Sequence, residues 1–145
     1  MLLANFALLL IFWPSKALSH RYLPDTLAIK LLGIALEVGG AALAIWARRT
    51  LGHNWSAEIT IKEDHELIRT GPYSKVRHPI YSGLLAMYAG TAIVSGQMHA
   101  LLGLLLGIAA YLRKTRMEEQ NMVIAFGGKY QTYRDETSAL VPGLY

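Results

Sequence analysis

The 21 residues LAIKLLGIALEVGGAALAIWA, positions 27–47, constrain the fold of this chain more than any other stretch. As a helix they extend roughly 31 Å, about the thickness of a bilayer's hydrocarbon core. A composition of 53% hydrophobic against 17% charged residues is rich for a soluble domain of 145 residues and agrees with a membrane setting. Within the span, Ala35 and Gly39, and again Gly40 and Ala44, recur at four-residue spacing, which predicts a face for close helix packing. Glu37 lies mid-span, where an ionisable group is costly. It either lines a cavity or hydrogen-bonds a neighbouring helix.

Three further apolar segments complete the pattern. The opening MLLANFALLLIFWP lacks the positive start and cleavage site of a signal peptide and reads as a short first membrane helix. IYSGLLAMYAGTAIVSG and MHALLGLLLGIAAYLRK, separated near Ser95-Gly96-Gln97, predict a tight helical hairpin whose arms are near the lower length limit for a crossing. Gly103 and Gly107 form a GxxxG pair, a second packing face. Six Lys and Arg lie between positions 48 and 77 and five between 113 and 134, against only Lys16 and Arg21 between 14 and 26. This places both termini on the cytoplasmic side, with about four crossings. The loop of residues 48–79 and the C-terminal tail then share one compartment and can meet.

In that loop AEITIKEDHELI predicts a short extended or hairpin element. Beyond Lys114, TRMEEQNMVIAF has amphipathic helical spacing and stops at Gly127-Gly128, with KYQTYRDE as a further short helix. The polar clusters HELI with Tyr73, RHPIY, and RKTRMEE border the same membrane face. Pro79 suits the first turn of a helix, whose free amides bind carboxylates or phosphates. Glu118 and Glu119 lie about one turn beyond Lys114, so a surface ion pair explains them as well as a site does.

Other chemistries are set aside. There is no cysteine for a thiolate ligand or nucleophile, and His20, His53 and His99 fit no metal-ligand spacing, so no metal is expected. The net charge of +4 suits an anionic lipid surface, and no nucleic-acid motif accompanies it.

GPYSKVRHPIYSG together with RKTRMEEQNMVIAFGGKYQTY resembles the isoprenylcysteine carboxyl methyltransferase family of integral membrane enzymes. The set G-x-Y, R-H-P-x-Y-x-G, a downstream E-E and F-G-x-x-Y-x-x-Y is specific in combination, and the resemblance covers roughly residues 50–142. It implies an all-α integral membrane fold of about four transmembrane helices with a tight C-terminal hairpin. In that fold the cytoplasmic loop and C-terminal amphipathic helix form the cofactor pocket. Residues 1–145 then make one methyltransferase domain, with two membrane helices in residues 1–49. The cofactor implied is S-adenosyl-L-methionine, held by His65, Glu66, Leu67, Ile68, Tyr73, His78, Pro79, Ile80, Tyr81 and Glu118. Where the family places an acceptor-side Arg, this chain has Lys114, with Arg113 as a neighbouring substitute; Arg77 is expected to anchor at the interface or to brace the loop. The tail departs from the family, with Asp135 and Glu136 where relatives tend to be basic.

The implied reaction is methyl transfer to a lipophilic acceptor that enters from the lipid bilayer, with a carboxyl group preferred. The alternatives are a phospholipid or amine N-methyltransferase, an NADPH-dependent isoprenoid or sterol reductase, and a noncatalytic lipid-binding subunit.

Overall fold

The structure is a computed structural model that describes residues 6, 7, 9, 17–52 and 67–144. The regular structure among the described residues is helical, with no strand beyond three isolated bridges. Four helices are described over their full length: α1, Leu27–Leu51; α2, Pro79–Ser95; α3, Met98–Phe126; and α4, Gly128–Glu136. Phe6, Ala7 and Leu9 are also helical, but most of the expected first membrane helix, and of the extended element expected at 57–68, lies outside the described residues. The chain forms two compact units, one of residues 1–42 and 83–112, the other of 43–82 and 113–145.

Thr26 caps α1, its hydroxyl accepting from the Ile29 amide at 3.4 Å, and Arg48 and Arg49 occupy the last turn, where cations suit the carbonyl end. Among the described helices, α1 is the one long and apolar enough to cross a membrane. Its Leu27, Leu32, Val38 and Trp46 are each more than half exposed. Side chains of this size forgo about 1.5–3 kcal/mol each when left in water, a cost that hydrocarbon removes. α2 has 17 residues and is shorter than that limit. In α3 the last apolar segment and the amphipathic segment run on as one 29-residue helix, because neither Pro nor Gly interrupts the chain from position 108 to 126.

In the first unit α1 and α2 approach backbone to backbone. A Cβ on Gly40 would sit 2.5 Å from the Gly83 carbonyl oxygen, and one on Gly90 would sit 2.6 Å from that of Gly33. Both glycine pairs are seven residues apart, and in antiparallel register they coincide. The contact repeats with the seven-residue period of a two-helix seam through Gly33 and Gly40, and Gly40 is one of the packing residues expected from the sequence. Gly39, one of the expected packing residues, faces open space. Gly40→Leu should lower the unfolding midpoint in detergent, by an overpacking cost of about 1–3 kcal/mol, whereas Gly39→Leu should not.

Glu37 is half-buried beside this seam and its Oε1 accepts from the Thr91 hydroxyl at 2.6 Å, the neighbouring-helix partner that was one of its two expected roles. A Cβ on Gly107 would meet the Tyr88 ring at 2.5 Å, and Tyr88 in turn lies edge-on to Tyr111. The hairpin turn closes at Gly96, whose φ of +62° suits a residue without Cβ. The Gly96 carbonyl accepts from the Tyr22 amide at 2.8 Å, and the Tyr22 hydroxyl donates to the Ala92 carbonyl at 2.7 Å.

Candidate functional site

The second unit gathers the polar motifs. Gly71–Ser74 forms a 3-10 turn that buries Pro72 and Tyr73. From there the chain runs beside the tail: Val76 bridges Ser138 in parallel, the Arg77 amide donates to the Ser138 carbonyl at 2.9 Å, and the His78 amide donates to the Ala139 carbonyl at 3.0 Å. Loop and tail therefore meet, as the sequence reading allowed. Pro79, fully buried, opens α2 at the first helical position, where its missing N–H costs nothing.

The two acidic residues of α3 point to different partners, as neighbours about 100° apart on a helix must. Glu118 Oε1 accepts from the Tyr81 hydroxyl at 2.6 Å and lies 3.7 Å from Lys114 Nζ. Its side chain is 19% exposed, the most open carboxylate of this cluster. Burial pushes its carboxyl up, but the His78 ring and the Tyr81 hydroxyl outweigh this and hold it below the ordinary value. Lys114 Nζ also sits 5.3 Å from the centre of the Tyr81 ring. The Lys114–Glu118 ion pair expected on a helix surface is thus present, but in a half-buried setting.

Glu119 belongs to a brace. It is buried, and its Oε1 accepts from Arg77 Nε at 2.7 Å while Arg134 Nε stands 3.5 Å from Oε2. Burial would raise the Glu119 carboxyl, but His78 and Arg77 bring it down to about 2. Arg77 Nη1 also donates to the carbonyls of Arg134 and Thr137, so its guanidinium closes the last turn of α4. Of the two roles expected for Arg77, these contacts are those of a brace.

Tyr130 and Tyr133, three residues apart on α4, are both buried, and the Tyr133 hydroxyl donates to the Tyr73 carbonyl at 2.6 Å. That bond fixes the 3-10 turn against α4. Burial pushes the Tyr73 and Tyr133 phenols up, that of Tyr133 to about 12. Glu136, one of the acidic departures in the tail, pairs with Arg69, whose guanidinium lies 5.1 Å from the Tyr133 ring centre.

Of the residues singled out from the sequence, Tyr73, His78, Pro79, Ile80, Tyr81, Lys114 and Glu118 fall in this one unit. Leu67 and Ile68 are half-buried positions on its irregular loop, and Arg113 is exposed beside Lys114. His65 and Glu66 lie outside the described residues. The brace formed by Glu119, Arg134 and Tyr133 was missed; its signal in the sequence was the pair of tyrosines at helical spacing.

The family model described as phospholipid methyltransferase matches residues 28–129. A protein-S-isoprenylcysteine O-methyltransferase of Saccharomyces cerevisiae is 29% identical over 123 residues, 81% of this chain and 52% of the relative. Methanethiol S-methyltransferase 2 of Bradyrhizobium diazoefficiens is 39% identical over 74 residues, 50% of this chain and 27% of the relative. A solved structure of a eukaryotic intramembrane Ras methyltransferase, an isoprenylcysteine carboxyl methyltransferase, shares the fold with a TM-score of 0.75 at 23% identity, over 81% of this chain and 43% of that chain. The chain spans about half the length of the yeast relative. The resemblance read from the motifs holds, and the chain belongs to the phospholipid methyltransferase family.

Proposed function

We propose that this chain is a multi-pass integral membrane enzyme that transfers a methyl group from S-adenosylmethionine to a lipophilic acceptor, with a carboxyl group as the preferred nucleophile. The observation that carries the reading is the partly exposed Glu118 carboxylate, held by Tyr81 and Lys114 within one helical turn of the α2 start, in a chain of this family. The donor set fits a zwitterionic cofactor. Glu118 receives its ammonium, and the first-turn amides of α2 at Ile80 and Tyr81, preceded by Pro79, suit its carboxylate. Leu67 and Ile68 flank the adenine, with His65, Glu66, Tyr73 and His78 completing the assigned set.

When bound, S-adenosylmethionine supplies an electrophilic methyl group on a sulfonium that departs as a neutral thioether. The residues therefore need to bind, align and exclude water. An acceptor carboxylate is already ionised near neutral pH and needs no general base. Lys114 orients it by charge, with Arg113 beside it, and the lysine offers a point charge in place of a planar fork. About four crossings, with both termini and the site on the cytoplasmic face, follow from the Lys and Arg distribution. The whole of residues 1–145 then works as one domain, with its acceptor drawn from the bilayer.

A thiol acceptor is the second reading, favoured by the 39% identity to the methanethiol enzyme over half of this chain. Calorimetric titration of the detergent-purified protein should give binding of S-adenosylhomocysteine and none of NADPH; the reverse would assign a reductase and sink the proposal. Transfer assays on matched carboxylate, thiol and amine lipids then fix the nucleophile. A carboxylate substrate gives a rate nearly level from pH 6 to 9, whereas a thiol gives a rate that climbs toward its pKa of about 8.5. Lys114→Ala should lower turnover on the carboxylate lipid about tenfold, the loss of one charge-assisted contact.

A further inference from the structure

His78 stands between the two carboxylates of α3. Its Nδ1 lies 3.4 Å from Glu118 Oε2 and its Nε2 3.3 Å from Glu119 Oε1, and its side chain is 10% exposed. Nε2 is buried and makes no hydrogen bond. The ring stacks on Tyr81 at 6°, with centres 5.7 Å apart. Beyond Glu119 stand Arg77 and Arg134, and beyond Glu118 stand Tyr81 and Lys114. Charge thus alternates along one path through Arg77, Glu119, His78, Glu118 and Lys114. Each ring nitrogen thus lies within charge-pairing distance of a different carboxylate.

We propose that the His78 side chain is a positioning group that joins the partly exposed Glu118 to the buried Arg77–Glu119 brace and aims the Glu118 carboxylate. The proposal rests on the reading that Glu118 receives the donor's ammonium, and it narrows the role of His78 within the assigned set. A neutral imidazole would set one lone pair against a carboxylate, whereas the imidazolium presents positive charge to both. Burial disfavours the cation, but Glu118 and Glu119 outweigh it and raise the ring above its ordinary value. The groups facing the ring are Glu118 and Glu119 from α3 and Tyr81 from α2, with Arg77, Arg134 and Lys114 one contact removed. Because the folded-state value is raised, the bridge is present below the ordinary histidine value, where both carboxylates are still ionised, and is lost as pH climbs through the raised value.

Two measurements test this. Nitrogen NMR of histidine-labelled protein in detergent, with no ligand, should show one ring still cationic where ordinary histidines, near 6.5, have titrated. That signal should vanish in His78→Gln and should titrate at lower pH in Glu119→Gln, which removes one of the two facing anions. Calorimetry with S-adenosylhomocysteine from pH 6 to 8.5 should show wild-type affinity falling several-fold at the alkaline end. His78→Gln should bind roughly tenfold more weakly with no such limb, and Glu119→Gln should bring the limb to lower pH. A His78 ring that titrates at or below the ordinary value, or wild-type affinity and pH profile in His78→Gln, overturns the proposal. So does a His78→Gln loss of binding accompanied by an unmoved limb in Glu119→Gln, which would make His78 a direct ligand. Failure of the wild type to bind S-adenosylhomocysteine at all would instead sink the donor assignment, and the NMR arm would still read the bridge.

Discussion

Glu118→Gln should weaken binding of S-adenosylhomocysteine by about tenfold to a hundredfold, the worth of a charge-assisted hydrogen bond of about 1.5–3 kcal/mol. The amide keeps the shape of the side chain and an oxygen to accept from the Tyr81 hydroxyl, now 2.6 Å from the carboxylate. What it loses is the negative charge that faces a ligand ammonium and the Lys114 ammonium. The unfolding midpoint should therefore move little, because the side chain is 19% exposed and no packed volume is emptied. Calorimetry and thermal unfolding on the same detergent-solubilised sample separate the two effects. Unchanged affinity in a folded variant would remove Glu118 from the donor site.

The largest loss of stability should come from Arg77→Met. Arg77 and Glu119 side chains are 7% and 8% exposed, and removing the guanidinium strands a buried carboxylate and uncaps the last turn of α4. Breaking one side of a buried pair costs about 3–5 kcal/mol. The double variant Arg77→Met with Glu119→Met should recover much of that loss, because the stranded charge is gone. Arg69→Met serves as the contrast: its partner Glu136 is 54% exposed, so that pair is worth about 0–1 kcal/mol. Acid should act on the same brace. The Glu119 carboxyl lies at about 2 in the folded protein against an ordinary 4.5, so its contribution is present above pH 4.5 and is lost as pH falls toward 2. Denaturant unfolding in detergent across that window should show a loss in the wild type that Glu119→Gln lacks.

Much of the architecture was legible before any coordinates. The span at residues 27–47, the hairpin break at Ser95-Gly96-Gln97 and the stop at Gly127 are local events, set by side-chain hydrophobicity, by helix length and by a backbone that only glycine adopts readily. The contact between residues 76–78 and 138–139 agrees with the expectation, read from the distribution of Lys and Arg, that loop and tail can meet. The motif set named residues that the fold gathers in one unit, among them Tyr73, His78, Tyr81 and Glu118.

Other features needed the fold, because they depend on which faces and which atoms meet. Ala35-to-Gly39 and Gly33-to-Gly40 are both plausible packing pairs in the sequence; the antiparallel register with Gly83 and Gly90 selects the second. The adjacent Glu118 and Glu119 look alike as letters. Only the 100° turn between them, with Tyr81 and Lys114 on one side and Arg77 and Arg134 on the other, makes one an open carboxylate and the other a buried anchor. The sequence by itself determined helices, a membrane-length span and a family motif, since those rest on local propensity and on hydrophobic length. The tertiary structure decided the partner of each charge, because electrostatic environment depends on distances of a few ångströms between residues some 40 positions apart.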